Sequence, residues 1–256
     1  MIKDVDFHMH TEGMDIADLV ARAGEVGLEM AGISDHLNFE RGTLEDVPGN
    51  LNVFRENRRY LAAHEPPVPV FFGVEVHIMD PTGFHPLTAE IQEEFRFDYT
   101  IGGLHGVYGT WTAYREIVDV CHRLFLKAMA DPFLDILAHP YWFPTRAMEA
   151  CGLPMLPDLN MVPESYVVEL AQVSRETDTA LEVNACAIFS NPSYSDEFKR
   201  SYRDLLVALH DLGVTFSIGS DAHSVPYVGE SRVVRTILME IGVTEDRIWL
   251  PRPEGR

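Results

Sequence analysis

The chain has 256 residues, 46% of them hydrophobic, enough for one large buried core in a single α/β domain. Its 40 acidic residues outnumber 20 basic ones, and the formal charge of -20 argues against a surface that tracks a long nucleic-acid backbone. Cys121, Cys151 and Cys186 form no CxxC pair and read as reduced thiols, the start "MIKDVDFHMH" lacks a signal-like apolar region, and no apolar run approaches a membrane span, so the expectation is a cytoplasmic protein with no membrane partner.

In chain order, short apolar runs at 5–7, 30–34, 70–76, 99–104, 136–138, 181–184 and 214–219 read as strands buried on both faces. Amphipathic stripes lie between them at three- and four-residue steps. Ile16, Leu19, Val20, Ala23 and Val26 form one; Ile117, Val120, Cys121, Leu124 and Phe125 a second; Phe198, Tyr202, Leu205, Leu206 and Leu209 a third. Gly213 reads as the stop of the last helix. Strands alternating with helices imply a parallel sheet, and seven such units without a linker imply a closed or nearly closed barrel. The Pro- and Met-rich stretch 140–163 reads as a long loop, either an active-site lid or a subunit contact, with the oligomeric state left open.

The strand ends carry the chemistry. The first run ends in His8 and His10, the second in Asp35 and His36, and the third carries Glu75 and then His77. The fourth ends in His105, the fifth in His139, the sixth in Glu182 and Asn184, the seventh in Asp221 and His223. In an α/β barrel these ends converge on one face. Imidazole and carboxylate donors suit zinc, manganese or iron, and the absence of cysteine among them argues against a structural zinc site. On a strand, His8 and His10 would point to the same side, and Glu75 has two oxygens with which to bridge two ions. His64, His122 and His210 fall in predicted helices and read as structural or surface residues, while His85 stands in a loop.

The motifs "DFHMH" (6–10), "ISDH" (33–36), "GVE" (73–75), "GGLH" (102–105), "LAHP" (137–140) and "GSDAH" (219–223) span almost the whole chain. In this order they resemble the PHP (polymerase and histidinol phosphatase) family of metal-dependent phosphoesterases. The resemblance implies a distorted (βα)7, TIM-like barrel with two or three divalent ions, Zn, Mn or Fe. It implies that His8, His10, Glu75 and Asp221 hold one ion, that Glu75, His105 and His139 hold a second, and that His36 and His223 hold a third with a ligand from the loop after strand one. The family often places that last ligand eight or nine residues after the first histidine, where this chain has Ile16. Asp15 is the nearest candidate and Glu12 the reserve; Asp15 also reads as the N-cap of the helix beginning at Ile16.

The implied reaction is hydrolysis of a small phosphate monoester by a metal-bridging hydroxide, the ions neutralising charge on the phosphoryl oxygens. His77 is a candidate acid for the leaving group, or else a supporting or exposed histidine. Arg41 and Arg146 are candidate phosphate contacts. Histidinol-phosphatase-like members carry an arginine shortly after the strand-six motif, whereas this chain reads Ala185, Cys186, Ala187, Ile188, Phe189 there, which weakens histidinol phosphate as the substrate. Trp142, Phe143 and Phe189 could wall a larger leaving group or simply pack in the core. The competing readings are an amidohydrolase-like C–N or C–O hydrolase and a non-catalytic metal-binding module. The first commonly bridges its metals with a carbamylated lysine, but Lys3, Lys127 and Lys199 are the chain's only lysines and none stands at a strand end.

Overall fold

The computed structural model describes residues 1–37, 51–78, 86–106 and 111–252. The strands are β1 (Val5–Asp6), β2 (Met30–Ile33), β3 (His36–Leu37), β4 (Val70–His77), β5 (Tyr99–Gly103), β6 (Ile136–Leu137), β7 (Ala180–Asn184) and β8 (Phe216–Gly219). All pairs are parallel, in the order β1-β2-β4-β5-β6-β7-β8, with β3 also beside β4. Ile33 faces Phe72 and His36 faces Glu75, so the register is unbroken across Ser34 and Asp35. β2 and β3 thus form one interrupted strand, which recovers the seven strand positions expected from sequence.

The two ends of the sheet meet. Phe7 N donates to Ile218 O (3.0 Å), Asp221 N to His8 O (2.7 Å) and His10 N to Ala222 O (3.0 Å). These bonds give a nearly closed barrel and satisfy backbone groups that an open edge would leave unpaired. The helices α1 (Ile16–Glu25), α2 (Leu51–Ala63), α3 (Ala89–Phe95), α4 (Tyr114–Met129), α5 (Thr145–Ala150), α6 (Glu164–Thr177), α7 (Asp196–Asp211) and α8 (Ser231–Glu240) follow the strands. Each predicted stripe is the buried face: Leu19, Val20 and Ala23 of α1, and Phe198, Tyr202, Leu205, Leu206 and Leu209 of α7. None of the described helices is long and apolar enough to cross a membrane.

Aromatic packing fixes the strands at their N-terminal ends. Tyr99 at the start of β5 is buried and donates its hydroxyl to Phe7 O (2.6 Å). Its ring occupies the space that side chains at Gly32 and Gly73 would need, since a Cβ at either position would run into it. Trp249 stands edge-on to Phe7 (5.5 Å), and its backbone N–H donates to Phe216 O (2.8 Å). Aromatic pairs of this kind contribute about 0.5–1.5 kcal/mol each beyond area burial.

Stretch 140–163 departs from a free loop. It contains α5 and buries Tyr141, Phe143, Met148, Leu156 and Leu159. Tyr202 of α7 donates to Pro140 O (2.9 Å), and the Tyr194 hydroxyl both accepts from Phe143 N (2.8 Å) and donates to Phe143 O (3.1 Å). The segment is fastened to α7, which gives its apolar residues a partner within the chain.

Candidate metal centre

The chain leaves the β1 ladder early. Asp6 Oδ1 accepts from His8 N (3.3 Å) and Ser220 N (2.9 Å), so β1 stops at Asp6 instead of running through Phe7. His8 and His10 therefore stand beyond the regular strand. Both are still buried, with ring centroids 4.9 Å apart. Two other strand-end residues take left-handed backbone conformations, His139 (φ 29°) and Asp221 (φ 61°). Such torsions in non-glycine residues cost energy and concentrate at functional sites.

A buried network shapes the loop after His10. Asp35 Oδ1 accepts from Thr11 N (2.6 Å) and Glu12 N (3.3 Å); its Oδ2 accepts from Thr11 Oγ1 (2.6 Å) and Asn57 Nδ2 (2.6 Å). With the loop held this way, Glu12 Oε2 lies 2.9 Å from His36 Nδ1, and Glu12 Oε1 accepts from His36 N (3.2 Å). Asp35, noted at a strand end, is thus an anchor for the loop.

Glu75, on β4, lies at the middle with no exposed surface. Its Oε2 faces the Nε2 atoms of His8 (3.2 Å), His10 (3.6 Å) and His36 (2.9 Å). Its Oε1 faces those of His105 (3.1 Å) and His139 (3.5 Å). Asp221 Oδ1 closes the cluster at 3.3 Å from His10 Nε2, 3.7 Å from His8 Nε2 and 3.4 Å from His223 Nδ1. Gly103 leaves the room: a Cβ there would collide with Glu75 Oε1 and approach His105 Cε1 (3.0 Å) and His139 Cε1 (3.2 Å).

Both Glu75 oxygens and the Nε2 atoms of His8, His10 and His139 are buried with no hydrogen-bond partner. Leaving that many polar atoms unpaired would be costly, so the arrangement calls for a cation among them. The protonation of the metal-free site agrees. Burial opposes charge throughout, but the imidazoles of His105, His8 and His36 hold Glu75 well below the usual carboxylate range. Burial likewise opposes ionisation of Asp221, which His8 and His10 nevertheless hold low. Burial disfavours a charged His36, but Glu75 and Glu12 outweigh it and raise it to about 10. Burial, reinforced by His36 and His8, pushes His10 down to about 3. The two carboxylates are met by protons on histidines at the positions where a bound cation would do the same work. Three groups of donor atoms lie within coordinating reach of one another: His8, His10 and Glu75; His36, Glu75 and His105; and His10, Glu12, His36 and His223.

Glu182 supports the cluster from behind. Its Oε1 lies 2.6 Å from His8 Nδ1; its Oε2 accepts from His139 N (2.9 Å) and Asn184 Nδ2 (3.1 Å). One carboxylate thereby orients a ring on one side of Glu75 and a backbone on the other. Asn184 also reaches Asp221 Oδ2 (3.3 Å) and, through Oδ1, accepts from Ala187 N (2.8 Å), which starts a π-helical turn over Ala185–Phe189.

His8, His10, His36, Glu75, His105, His139, Asp221 and His223 all come together as the strand ends suggested. Asp15 does not join them: it is exposed and its carboxylate accepts from Ala17 N (2.7 Å) as the N-cap of α1. Glu12 lies with them instead, held by the Asp35 network within coordinating reach of His10, His36 and His223. His77 lies half-buried beside His105 (centroids 4.9 Å), and burial with the charge of His105 lowers it to about 4. Arg146 is exposed on α5, and Arg41 and His85 lie outside the described residues. Trp142 stands edge-on to His139 (4.6 Å), whereas Phe143 is core and Phe189 packs on Tyr202 (5.7 Å). Asn57 went unnoticed in the sequence; an asparagine on a helix face carries no signal of its partner 46 residues away.

No family model matches the chain. Two proteins that bear the name "probable phosphatase", from Citrobacter koseri and Thermoanaerobacter sp. (strain X514), are each 25% identical to it over 255 residues. The alignments span 95% of this chain and 88% and 89% of those proteins. A solved histidinol phosphate phosphatase from Lactococcus lactis, complexed with zinc, L-histidinol and phosphate, superposes with a TM-score of 0.66 over 95% of both chains at 17% identity. That likeness shows a shared fold.

Proposed function

We propose that this chain is a metal-dependent phosphoesterase of the PHP type that hydrolyses a small phosphate monoester. The observation that carries the reading is Glu75: a wholly buried carboxylate whose two unpartnered oxygens face five imidazoles. The names of the sequence relatives support phosphoester chemistry, and the zinc in the structural neighbour supports a divalent cofactor. The lack of a strand-end lysine speaks against the amidohydrolase alternative.

The donors fit two or three ions of Zn, Mn or Fe. His8, His10, Glu75 and Asp221 would hold one, Glu75, His105 and His139 a second, and His36, His223 and Glu12 a third. Bound there, the ions would activate water and neutralise charge on the phosphoryl oxygens. The chain's own residues do the rest. Glu182 holds His8 in one tautomer with Nε2 free for coordination, as carboxylates behind ligating histidines commonly do. Trp142 packs edge-on against His139 and helps to position its ring. Water adds to phosphorus, the bond to the ester oxygen breaks, and the alcohol and inorganic phosphate depart.

Elemental analysis of the purified protein, followed by a phosphomonoester panel with added manganese or zinc, tests the reading. Bound metal and turnover of at least one ester are expected. A folded protein that takes up no metal overturns it, as does activity confined to amides or carboxylic esters.

A further inference from the structure

His122, which the sequence marks only as a helix residue, is buried on α4 and bonded at both ring nitrogens. Its Nδ1 lies 3.2 Å from the Tyr141 hydroxyl and its Nε2 3.0 Å from Glu169 Oε2. Three elements meet at this ring: α4, α6 through Glu169, and the turn after β6 through Tyr141. Tyr166 of α6 stacks on the imidazole at 4.0 Å with the planes 6° apart, and Phe125 of α4 stands edge-on to Tyr141 (5.2 Å). An ionised carboxylate only accepts hydrogen bonds, so Glu169 draws the proton of a neutral His122 to Nε2 and leaves Nδ1 to accept from Tyr141. Burial outweighs the nearby carboxylates of Glu169 and Asp119, lowers the imidazole from its ordinary value and so favours that neutral form. The chain of bonds runs from the Tyr141 hydroxyl through His122 to Glu169, whose side chain is half-exposed.

The inner end of this chain stands two residues from a proposed metal ligand. Tyr141 is wholly buried with φ 60°, and His139 before it has φ 29°. Left-handed torsions are rare in residues this bulky and persist only where the surroundings over-determine them. Pro140 lies between the two. Its ring fixes φ, and a residue before proline favours extended backbone, so His139 is held against two preferences. Four hydrogen bonds fasten the turn. His139 N donates to Glu182 Oε2 (2.9 Å), Trp142 N to His139 O (3.0 Å), Tyr202 Oη to Pro140 O (2.9 Å) and Tyr141 Oη to His122 Nδ1. The first three hold backbone groups, whereas the fourth holds the Tyr141 side chain and so fixes how the chain leaves the turn. With the stiff Pro140 between them, a rotation at Tyr141 is passed to His139, whose Nε2 lies 3.5 Å from Glu75 Oε1.

Building on the metal-dependent reading, we propose that Glu169, His122 and Tyr141 are positioning residues for the ion held by Glu75, His105 and His139: their chain of hydrogen bonds holds the left-handed turn from the helical layer and thereby aims the His139 imidazole at Glu75. They act through the backbone of His139 and serve that ion, not the one assigned to His8, His10, Glu75 and Asp221. This selectivity separates the device from general support of the fold.

The test titrates metal-free protein with zinc by calorimetry and with cobalt(II), whose visible absorption reports its ligand geometry. The wild type is expected to take up at least two ions in separable steps. Tyr141→Phe deletes one hydroxyl and keeps the ring. It should weaken one step by about tenfold, the low end of the loss on changing groups behind ligating histidines, and alter the cobalt spectrum of that step alone. Glu169→Ala, at the half-exposed end of the chain, should weaken the same step by a smaller factor, and it decides the matter if Tyr141→Phe does not fold. Tyr166→Phe keeps the stack on His122 while losing its bond to Asp119, and should leave every step unchanged. A lowered thermal midpoint with unchanged zinc affinity in Tyr141→Phe and Glu169→Ala means a merely structural role and overturns the proposal, as does equal weakening of all steps. A wild type that binds fewer than two ions overturns the two-ion reading, and this proposal with it.

Discussion

Glu75 and Glu182 are both almost wholly buried at the same end of the barrel, one on β4 and the other on β7, and their surroundings differ in kind. Glu182 has a partner for each oxygen: His8 Nδ1 on one, His139 N and Asn184 Nδ2 on the other. Neither oxygen of Glu75 accepts a hydrogen bond from backbone or amide; what surrounds it instead is five imidazoles within 3.6 Å. The same side chain, equally desolvated, is a finished structural element in one layer and an unfinished coordination sphere in the other. A buried carboxylate is tolerated only when something compensates its charge. For Glu182 the polypeptide itself supplies that compensation.

Breaking the inner layer should have the largest effect. Glu75→Gln removes the central charge and is expected to abolish retention of at least one metal equivalent and to lower kcat/KM by about a thousandfold or more, since metal catalysis supplies several kcal/mol and each ~1.4 kcal/mol is tenfold. Metal content by elemental analysis, alongside rates, checks it; full metal retention would contradict the assignment. Glu182→Gln keeps the shape but not the charge, and should weaken metal binding by about 10- to 100-fold while leaving the fold intact. A loss as severe as that of Glu75→Gln would mean that the two layers are not distinct.

Protons compete with metal only in the inner layer. His36 is held up at about 10 in the metal-free protein, so at pH 7–8 it carries a proton that coordination must displace. Affinity should therefore rise with pH across that range, by about tenfold per unit for each proton released, and fall as the solution is acidified. Metal titrations in buffers of different ionisation enthalpy count those protons; a count of zero would contradict His36 as a ligand.

The smallest effect separates two neighbours in one loop. Asp15→Ala should cost about 1 kcal/mol of stability, the usual worth of an N-cap, with metal content unchanged. Glu12→Gln should lower the number of bound ions with little change in thermal midpoint. The reverse pattern would restore Asp15 as the ligand.

Residue types at strand ends carried most of the site into view. Glu75, His105, His139 and Asp221 were recognisable because a parallel barrel must bring its C-terminal strand ends together, whatever its loops do. Glu182 was visible as a strand-end acid, but nothing in its neighbourhood of the sequence marked it as the partner of His8, 174 residues away. The choice between Glu12 and Asp15 was equally hidden, since Asn57 and Asp35 hold the loop from other elements.

What the sequence by itself determined is the alternation of apolar strands and amphipathic helices, and the donor atoms placed where those strands end. Both follow from periodicity, which is local. What only the tertiary structure decided is the division of those donors into charge-bearing and charge-holding layers and the position of Glu12. These depend on left-handed torsions at His139 and Asp221 and on hydrogen bonds between segments far apart in the chain. Such features exist only once the barrel has closed.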